Sequence, residues 1–373
     1  MNTPPGASAD ARYARHTLIP GWDQRALADA TVVLVGAGAL GNTVAQSLAL
    51  AGIGRLVVCD PDTVAVSNLS RCPLFRAADV GRPKAEALAE ALAALAPDTV
   101  VDARPAPLLS GVGLAELRDA DLAVGCLDSR AARLRLAARC TLAGVPMLDG
   151  GTNDWGGEVG LYRPGGRCWG CGLTPAERAA QDDPWSCTAP RPGQRAGASA
   201  PVSAIVGSWL AGYAVRVLLG LPVAAWPLRI DAAGSALPVA GRGPVDRPAP
   251  DCPLHEEPGP VSVLPVADLA PVGDLLRHFA DDEEPLSWTG FRRPGAPLAA
   301  PASATRLRAA APDATLRSLG VAPREILPVA GPRGTLLRYV ELSPGPLPQG
   351  AARPDERDHE PAAPTAPGPE GER

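Results

Sequence analysis

The sequence predicts an α/β fold: a mostly parallel sheet with helices on both faces, extended by antiparallel strands and a zinc knuckle, then a small C-terminal α+β appendage. Three observations predict it. The run Thr31-Val-Val-Leu-Val-Gly36-Ala-Gly38-Ala-Leu-Gly41-Asn42 leads from a β-branched apolar stretch through a glycine-rich turn into helical periodicity at Val44, Leu48 and Ala51. Apolar runs of strand length then alternate with helical patterns as far as Asp149, as in a parallel sheet wrapped on both faces. Beyond Gly150 the alternation stops, and Cys168-x-x-Cys171 and Cys252-x-x-His255 give two well-separated pairs of metal-ligand residues.

In chain order, Arg12–His16 and Gln24–Ala30 read as short helices, followed by the strand, turn and helix around Gly36. Gly36 permits the tight turn, Gly38 lets a ligand approach the backbone, and Gly41 lets helix and strand pack closely. Backbone N–H groups and the helix dipole there favour an anion. Arg55–Asp60 is a second parallel strand, and Asp60 stands about twenty residues past the glycine turn, where a carboxylate holds a ribose hydroxyl. Asp79–Leu95 reads as a helix, Val100–Ala103 as a third strand, and Asp121–Cys126 as a fourth. Ser129–Leu142 follows as a helix and Pro146–Asp149 as a fifth strand. This is a Rossmann-like order. Glu158–Tyr162 reads as antiparallel, 173–200 as a polar mobile loop, Val202–Leu219 as an apolar helix, and Pro227–Asp231 with Ala236–Ala240 as a hairpin. A Pro-rich linker is expected from Glu256 to Pro265. A small unit then carries a helix near Val272–Phe279 and strands near Ile326–Val329 and Leu336–Leu342. The expected division is a first domain over 1–258, an accessory domain over 259–345 and a disordered tail over 346–373, rich in Pro, Ala and charge.

Thirty-five basic against 40 acidic residues give a net charge of −5, which argues against a dedicated nucleic-acid binder. The sequence reading finds no apolar run of membrane-spanning length and no signal-peptide core, so a cytoplasmic protein with no membrane partner is expected. Eight cysteines among 373 residues are no disulfide framework; metal or thiol chemistry suits them better. Cys59, Cys72, Cys126 and Cys140 fall in or beside apolar elements and read as ordinary buried thiols, and His16, His278 and His359 carry no case for catalysis.

Several further motifs fall in order: Arg12-Tyr-Ala-Arg15-His16, Asp60-Pro-Asp62 with Ser67-Asn68-Leu69-Ser-Arg71, Asp79-Val-Gly-Arg-Pro-Lys84, and Asp128 after the fourth strand. Together with the Gly36–Gly41 turn they resemble the ubiquitin-activating-enzyme superfamily, and within it the bacterial HesA/MoeB/ThiF adenylyltransferases, over residues 10–256. The resemblance implies an enzyme that uses ATP to adenylate a carboxylate and expels pyrophosphate. It implies that Arg71 and Lys84 reach phosphates, that Asn68 is a polar partner of the same group and that Asp128 binds Mg²⁺. Arg15 would reach the nucleotide from the other subunit of a homodimer. The chemistry agrees: charge develops on phosphate oxygens, and catalysis is positioning plus electrostatic stabilisation by cations and a metal. Asp62 is also placed to shape its own turn, and Asp128 to cap the helix after it. Ala39 and Cys72 depart from the family's usual glycine and glutamine.

Cys168, Cys171, Cys252 and His255 fit a closed tetrahedral Zn²⁺ site of structural role, with His255 where the family usually carries a fourth cysteine. Cys187, in the expected loop before the apolar helix, matches the family cysteine that bonds covalently to the activated partner; a thiolate accepts acyl groups, and a spectator role stays open. Trp155-Gly-Gly reads as a turn or as a lining for a partner's tail. The function expected is ATP-dependent adenylation of the C-terminal carboxylate of a ubiquitin-like sulfur carrier ending in Gly-Gly. That carboxylate is destined for a thiocarboxylate, with sulfur from a separate donor. Adenylation of a ribosomal-peptide or other natural-product carboxylate is the alternative. An NAD(P)-dependent oxidoreductase needs no Arg71, Lys84 and Asp128 around one phosphate chain, and an inactive binding module needs none of them.

Overall fold

The computed structural model describes residues 9–179, 197–223, 227–231, 239–240, 246–255, 260–287 and 306–344. After α1 (Ala9–Tyr13) and α2 (Gln24–Asp29) come β1 (Thr31–Val35), α3 (Ala39–Ala51), β2 (Arg55–Cys59), α4 (Lys84–Leu95) and β3 (Val100–Arg104). Then follow α5 (Leu108–Gly111), α6 (Leu114–Arg118), β4 (Leu122–Gly125), α7 (Arg130–Ala143), β5 (Met147–Thr152), β6 (Gly156–Tyr162) and α8 (Pro175–Ala179). The first unit closes with α9 (Ala200–Leu218), β7 (Leu228–Asp231) and β8 (Val239–Ala240). Its eight strands lie in the order β3-β2-β1-β4-β5-β6-β7-β8, parallel through β5 and antiparallel from β6 onward.

Strand periodicity sorts the core onto two faces. Along β1, Val32 and Leu34 pack with α3, α4 and α9, while Val33 and Val35 pack with α6 and α7. Each face therefore buries aliphatic side chains that alternate along one strand, the pattern of a sheet covered on both sides. The sequence predicts no apolar run of membrane-spanning length, yet α9, the apolar helix expected over Val202–Leu219, is by length and composition apolar enough to cross a membrane. Its Val202, Val206, Leu210, Ala211 and Ala214 are instead buried in the core against α3, β5 and β6.

Three boundaries differ from the sequence reading. The helix expected from Asp79 starts at Lys84: Gly81 takes φ +91°, which belongs to turns, and Pro83 supplies the N-cap position with no N–H to donate. Short helices α5 and α6, unforeseen, fill the β3–β4 crossover. The expected linker contains β9 (Val261–Leu264), paired in parallel with β12 (Leu336–Leu342). With α10 (Val272–Leu276), β10 (Glu284–Pro285) and β11 (Ile326–Ala330), these strands form a second sheet ordered β10-β11-β12-β9. The expected tail 346–373 lies outside the described residues.

The second sheet is fixed to the first unit. Leu114 and Ala115 of α6 share an apolar cluster with Ile326, Leu336 and Tyr339. Gly113 approaches so closely that a Cβ would meet the Pro323 carbonyl at 1.9 Å. Between them lies a fully buried ion pair, Arg139 Nη2 to Glu325 Oε2 at 2.8 Å. Arg118 pairs with Glu341 and Arg324 with Asp119 around the rim.

Candidate active site and metal centre

The C-terminal ends of β1, β2 and β4 converge on the glycine turn, where ligands bind in open parallel sheets. Gly36 takes φ +100°, and a Cβ there would lie 2.3 Å from the Cys126 carbonyl. A Cβ on Gly41 would lie 1.9 Å from the Gly36 carbonyl, so the turn closes only with glycine at both positions. Gly38 differs. It is the N-cap of α3, no side chain caps the helix there, and a Cβ would meet nothing within 4 Å. Its neighbourhood is an open cradle at a helix N-terminus.

Asp60 is buried and accepts from the N–H groups of Ala37 (2.7 Å) and Asp62 (2.8 Å), so its carboxylate fastens the turn to the end of β2. Burial raises this carboxyl above its ordinary value, opposed by the Ala37 N–H and by Lys84. Lys84, buried at the start of α4, places Nζ 2.7 Å from Asp62 Oδ2. Asp62 is therefore more than a turn former: it holds the lysine. Partial desolvation and the neighbouring Asp62 carboxylate raise the Asp128 carboxyl, while the hydrogen bond from its own N–H, Lys84 and Arg133 oppose the shift. Ser129, not Asp128, caps α7, its side chain accepting from Ala132 N at 3.1 Å. Asp128 is thus not spent on the helix.

Asn68 is buried and accepts from the Ala65 N–H at 2.8 Å, shaping the loop whose Arg71 donates to the Ser67 carbonyl. Arg71 lines a cavity of about 320 Å³ with Thr43, Pro73, Ala200 and Ala204. Sequence reasoning assigned nothing to Asn42. It is fully buried, donates to the Ala37 carbonyl at 2.8 Å and accepts from the Leu74 N–H at 3.1 Å, tying the glycine turn to the Arg71 loop. Its place one residue past Gly41 was the available signal.

The structure does not bring Arg15 to this group. Tyr13 packs against Gly52 at the far end of α3, and Arg12 donates to the Leu95 carbonyl at the far end of α4. Arg15 is exposed beside them, and no contact ties it to the glycine turn among the described residues. Cys187 lies outside the described residues. Cys59, Cys72 and Cys140 are buried, and burial raises all three thiols. Cys126 is less enclosed than they are, and desolvation raises it too. Trp155 is exposed at the β5–β6 turn.

On the α7 face, the donor atoms of Cys168, Cys171, Cys252 and His255 all lie within 4.8 Å of one another. The Cys168 sulfur is 3.7 Å from that of Cys171 and 3.6 Å from that of Cys252, and His255 Nε2 is 3.1 Å from Cys171 Sγ. Zn–S bonds of about 2.3 Å in a tetrahedron separate sulfurs by about 3.8 Å, so the donor set and spacing fit zinc. The Ala249 N–H donates to Cys171 Sγ at 3.3 Å, an outer hydrogen bond of the kind that steadies a thiolate ligand.

Residues 11–253 match the sequence profile of the ThiF family. The molybdopterin-synthase adenylyltransferase of Escherichia coli (strain K12) is 34% identical over 214 residues, 56% of this chain and 82% of the relative. A sulfur carrier protein adenylyltransferase of Thermus thermophilus is 36% identical over 254 residues, 65% and 89% of the two chains. Among solved structures, MccB of E. coli in complex with MccA-N7isoASN aligns at a TM-score of 0.53 and 22% identity, covering 65% of this chain and 74% of that one. At that identity the likeness shows the fold alone. With the glycine turn, the Asp62–Lys84 pair and the Cys₃His cluster in one chain, and a profile match over most of it, the protein belongs to the ThiF family.

Proposed function

We propose that this chain is an ATP-dependent adenylyltransferase acting on the C-terminal carboxylate of a ubiquitin-like sulfur carrier that ends in Gly-Gly. The observation that carries the reading is the convergence of the open Gly38 cradle, the Asp62–Lys84 pair and the Asp128 carboxylate, which caps no helix, at one end of the sheet. The phosphates of ATP would lie on the α3 N-terminus with Lys84 and Arg71 as cations, and the ribose beside Asp60. Asp128 would hold Mg²⁺, which supplies charge neutralisation for the leaving pyrophosphate. A carrier carboxylate oxygen attacks the α-phosphorus, the bond to the β-phosphate oxygen breaks, and acyl-adenylate and pyrophosphate result. Lys84 and Arg71 stabilise the charge that develops on the phosphate oxygens.

The acyl-adenylate would then give a thiocarboxylate with sulfur from a separate donor, directly or through Cys187. Zinc would be held by Cys168, Cys171, Cys252 and His255 in a structural role, in a cytoplasmic protein whose adenylation domain spans 1–258 and accessory domain 259–345. Arg15, which is exposed and beside the ends of α3 and α4 remote from the glycine turn, would serve the site of a second copy in a homodimer.

The test is ATP–pyrophosphate exchange with and without a Gly-Gly-ended carrier. Carrier-dependent exchange lost in Asp128→Ala supports the reading; exchange retained in Cys187→Ala without a covalent adduct places the thiol after adenylation. No exchange with any Gly-Gly tail overturns the carrier assignment in favour of a peptide carboxylate. Mixing Arg15→Ala with Asp128→Ala restores about a quarter of wild-type activity if sites are shared between copies, since half the dimers are mixed and each holds one intact site.

A further inference from the structure

Arg133 is almost fully buried one turn into α7 and donates in two directions: to the Leu127 carbonyl at 2.8 Å and to the Gly150 carbonyl at 3.2 Å. Leu127 immediately precedes Asp128. The guanidinium carbon stands 5.8 Å from the centroid of the Trp169 ring, and Arg133 Nε is 3.5 Å from Asp149 Oδ1. That 3.5 Å approach is an ion pair rather than a hydrogen bond, and the Trp169 side chain also faces the Asp149 carboxylate, holding its carboxyl down against burial. Trp169 lies between Cys168 and Cys171, and a Cβ on Gly170 would touch Leu254 and, on α7, Leu134. A continuous chain of contacts therefore runs from the Cys₃His centre through Trp169, Asp149 and Arg133 to the turn that presents Asp128.

We propose that Arg133 is a positioning residue through which the zinc-binding knuckle sets the conformation of the Asp128 turn. The inference rests on the nucleotide-site reading only for its consequence, tighter nucleotide binding; the coupling itself is a property of the chain. Trp169 orients the Asp149 carboxylate, Asp149 and the indole face orient the guanidinium, and the guanidinium fixes the carbonyl next to Asp128. A metal that orders Trp169 thereby orders a turn on the other side of α7's first helical turn.

The test is hydrogen exchange of peptides spanning 126–131 in the full zinc-loaded chain, with metal content measured. Arg133→Met and Trp169→Leu keep all four metal ligands, and each should raise exchange at 126–131 about tenfold while leaving β1 protected. The double variant should show no more than the larger single effect. Arg133→Lys, which keeps the charge but loses the planar fork, should fall between wild type and Arg133→Met. Zinc removal should raise the same peptides in wild type and add nothing in Arg133→Met. If chelation opens β1 as well, the Arg133→Met and Trp169→Leu cycle decides. Unchanged exchange at 126–131 in Arg133→Met, or strictly additive effects in the double variant, would overturn the proposal. The affinity for MgATP should fall about tenfold in the same variants. Absence of ATP binding by wild type counts against the nucleotide site alone and leaves the exchange result standing.

Discussion

Replacing Glu325 with alanine should destabilise the whole chain far more than removal of an ordinary ion pair. Arg139 and Glu325 are fully buried between α7 and the second sheet. Glu325 Oε2 accepts from Arg139 at 2.8 Å, and Oε1 accepts from Ile326 N at 2.9 Å and Leu114 N at 3.3 Å. Glu325→Ala leaves the guanidinium without its counter-charge, held only by groups such as the Val112 carbonyl at 2.6 Å, and takes the acceptor from two backbone N–H groups. Removing one partner of a buried pair costs about 3–5 kcal/mol. For units of 150–250 residues that is a fall of about 6–20 °C in Tm, at roughly 2–4 °C per kcal/mol. The reference is Glu283→Ala, whose partner Arg338 is 37% exposed; that change should cost less than about 1 kcal/mol. The double substitution Arg139→Met with Glu325→Leu removes both charges at similar volume and should recover most of the loss. Urea unfolding at pH 7 with zinc present measures all four proteins. A Glu325→Ala cost no larger than that of Glu283→Ala, or a double variant as unstable as the single, refutes the reasoning.

Gly38→Ala should fold within about 0.5 kcal/mol of wild type, because the added methyl meets no protein atom within 4 Å, yet lose at least about tenfold in ATP affinity if the proposed nucleotide lies there. Gly36→Ala should lose about 2 kcal/mol or more of stability, since a positive φ and the Cys126 carbonyl both reject a Cβ; calorimetry and nucleotide titration separate the two. Burial pushes the Asp149 carboxyl up to about 6, with Glu158 adding to the shift and Arg133 and Trp169 opposing it. Its neutral form is favoured in the fold, so its contribution is present below about pH 4, the unfolded value, and is lost as pH rises to 6. Measured against Asp149→Asn, wild-type stability should decline by about 3 kcal/mol across that window and stay level above it; a difference that does not change with pH contradicts the assignment. Free zinc a hundredfold above its dissociation constant should raise stability by about 2.7 kcal/mol, or roughly 5–11 °C in Tm, and His255→Ala should blunt the rise. A Tm indifferent to zinc and chelator would leave the Cys₃His cluster without a metal role.

The parts of the structure that were legible in the sequence are those where one residue type is forced. Gly36 and Gly41 cannot carry a Cβ, and alternating aliphatics must fill two faces, so the strand–turn–helix and the parallel sheet are written locally. Spacing alone brought Cys168, Cys171, Cys252 and His255 together, since each pair is a single turn. What escaped the reading depends on partners distant in sequence. Val261–Leu264 stands among prolines and becomes a strand only because β12 offers its edge. Nothing local distinguishes buried Arg139 from exposed Arg135, because burial is conferred by Glu325 nearly two hundred residues on. Asp149 reads as the end of a strand until Arg133 and Trp169 are seen around it. Arg15 was legible as a motif, while the packing of Tyr13 and Arg12 on the far ends of α3 and α4 was not.

The two buried arginines of α7 set a constraint on what the chain tolerates. Arg133 and Arg139 are six residues apart, so at about 100° per residue they leave the helix some 120° apart and about 9 Å displaced along it. One is keyed into the knuckle side and the Asp128 turn, the other into the second sheet. Inserting or deleting one residue between them would rotate one lock by about 100° against the other, so that only one could engage. Natural and engineered length variation should therefore avoid 134–138, whereas substitutions there that preserve helical phase pass freely.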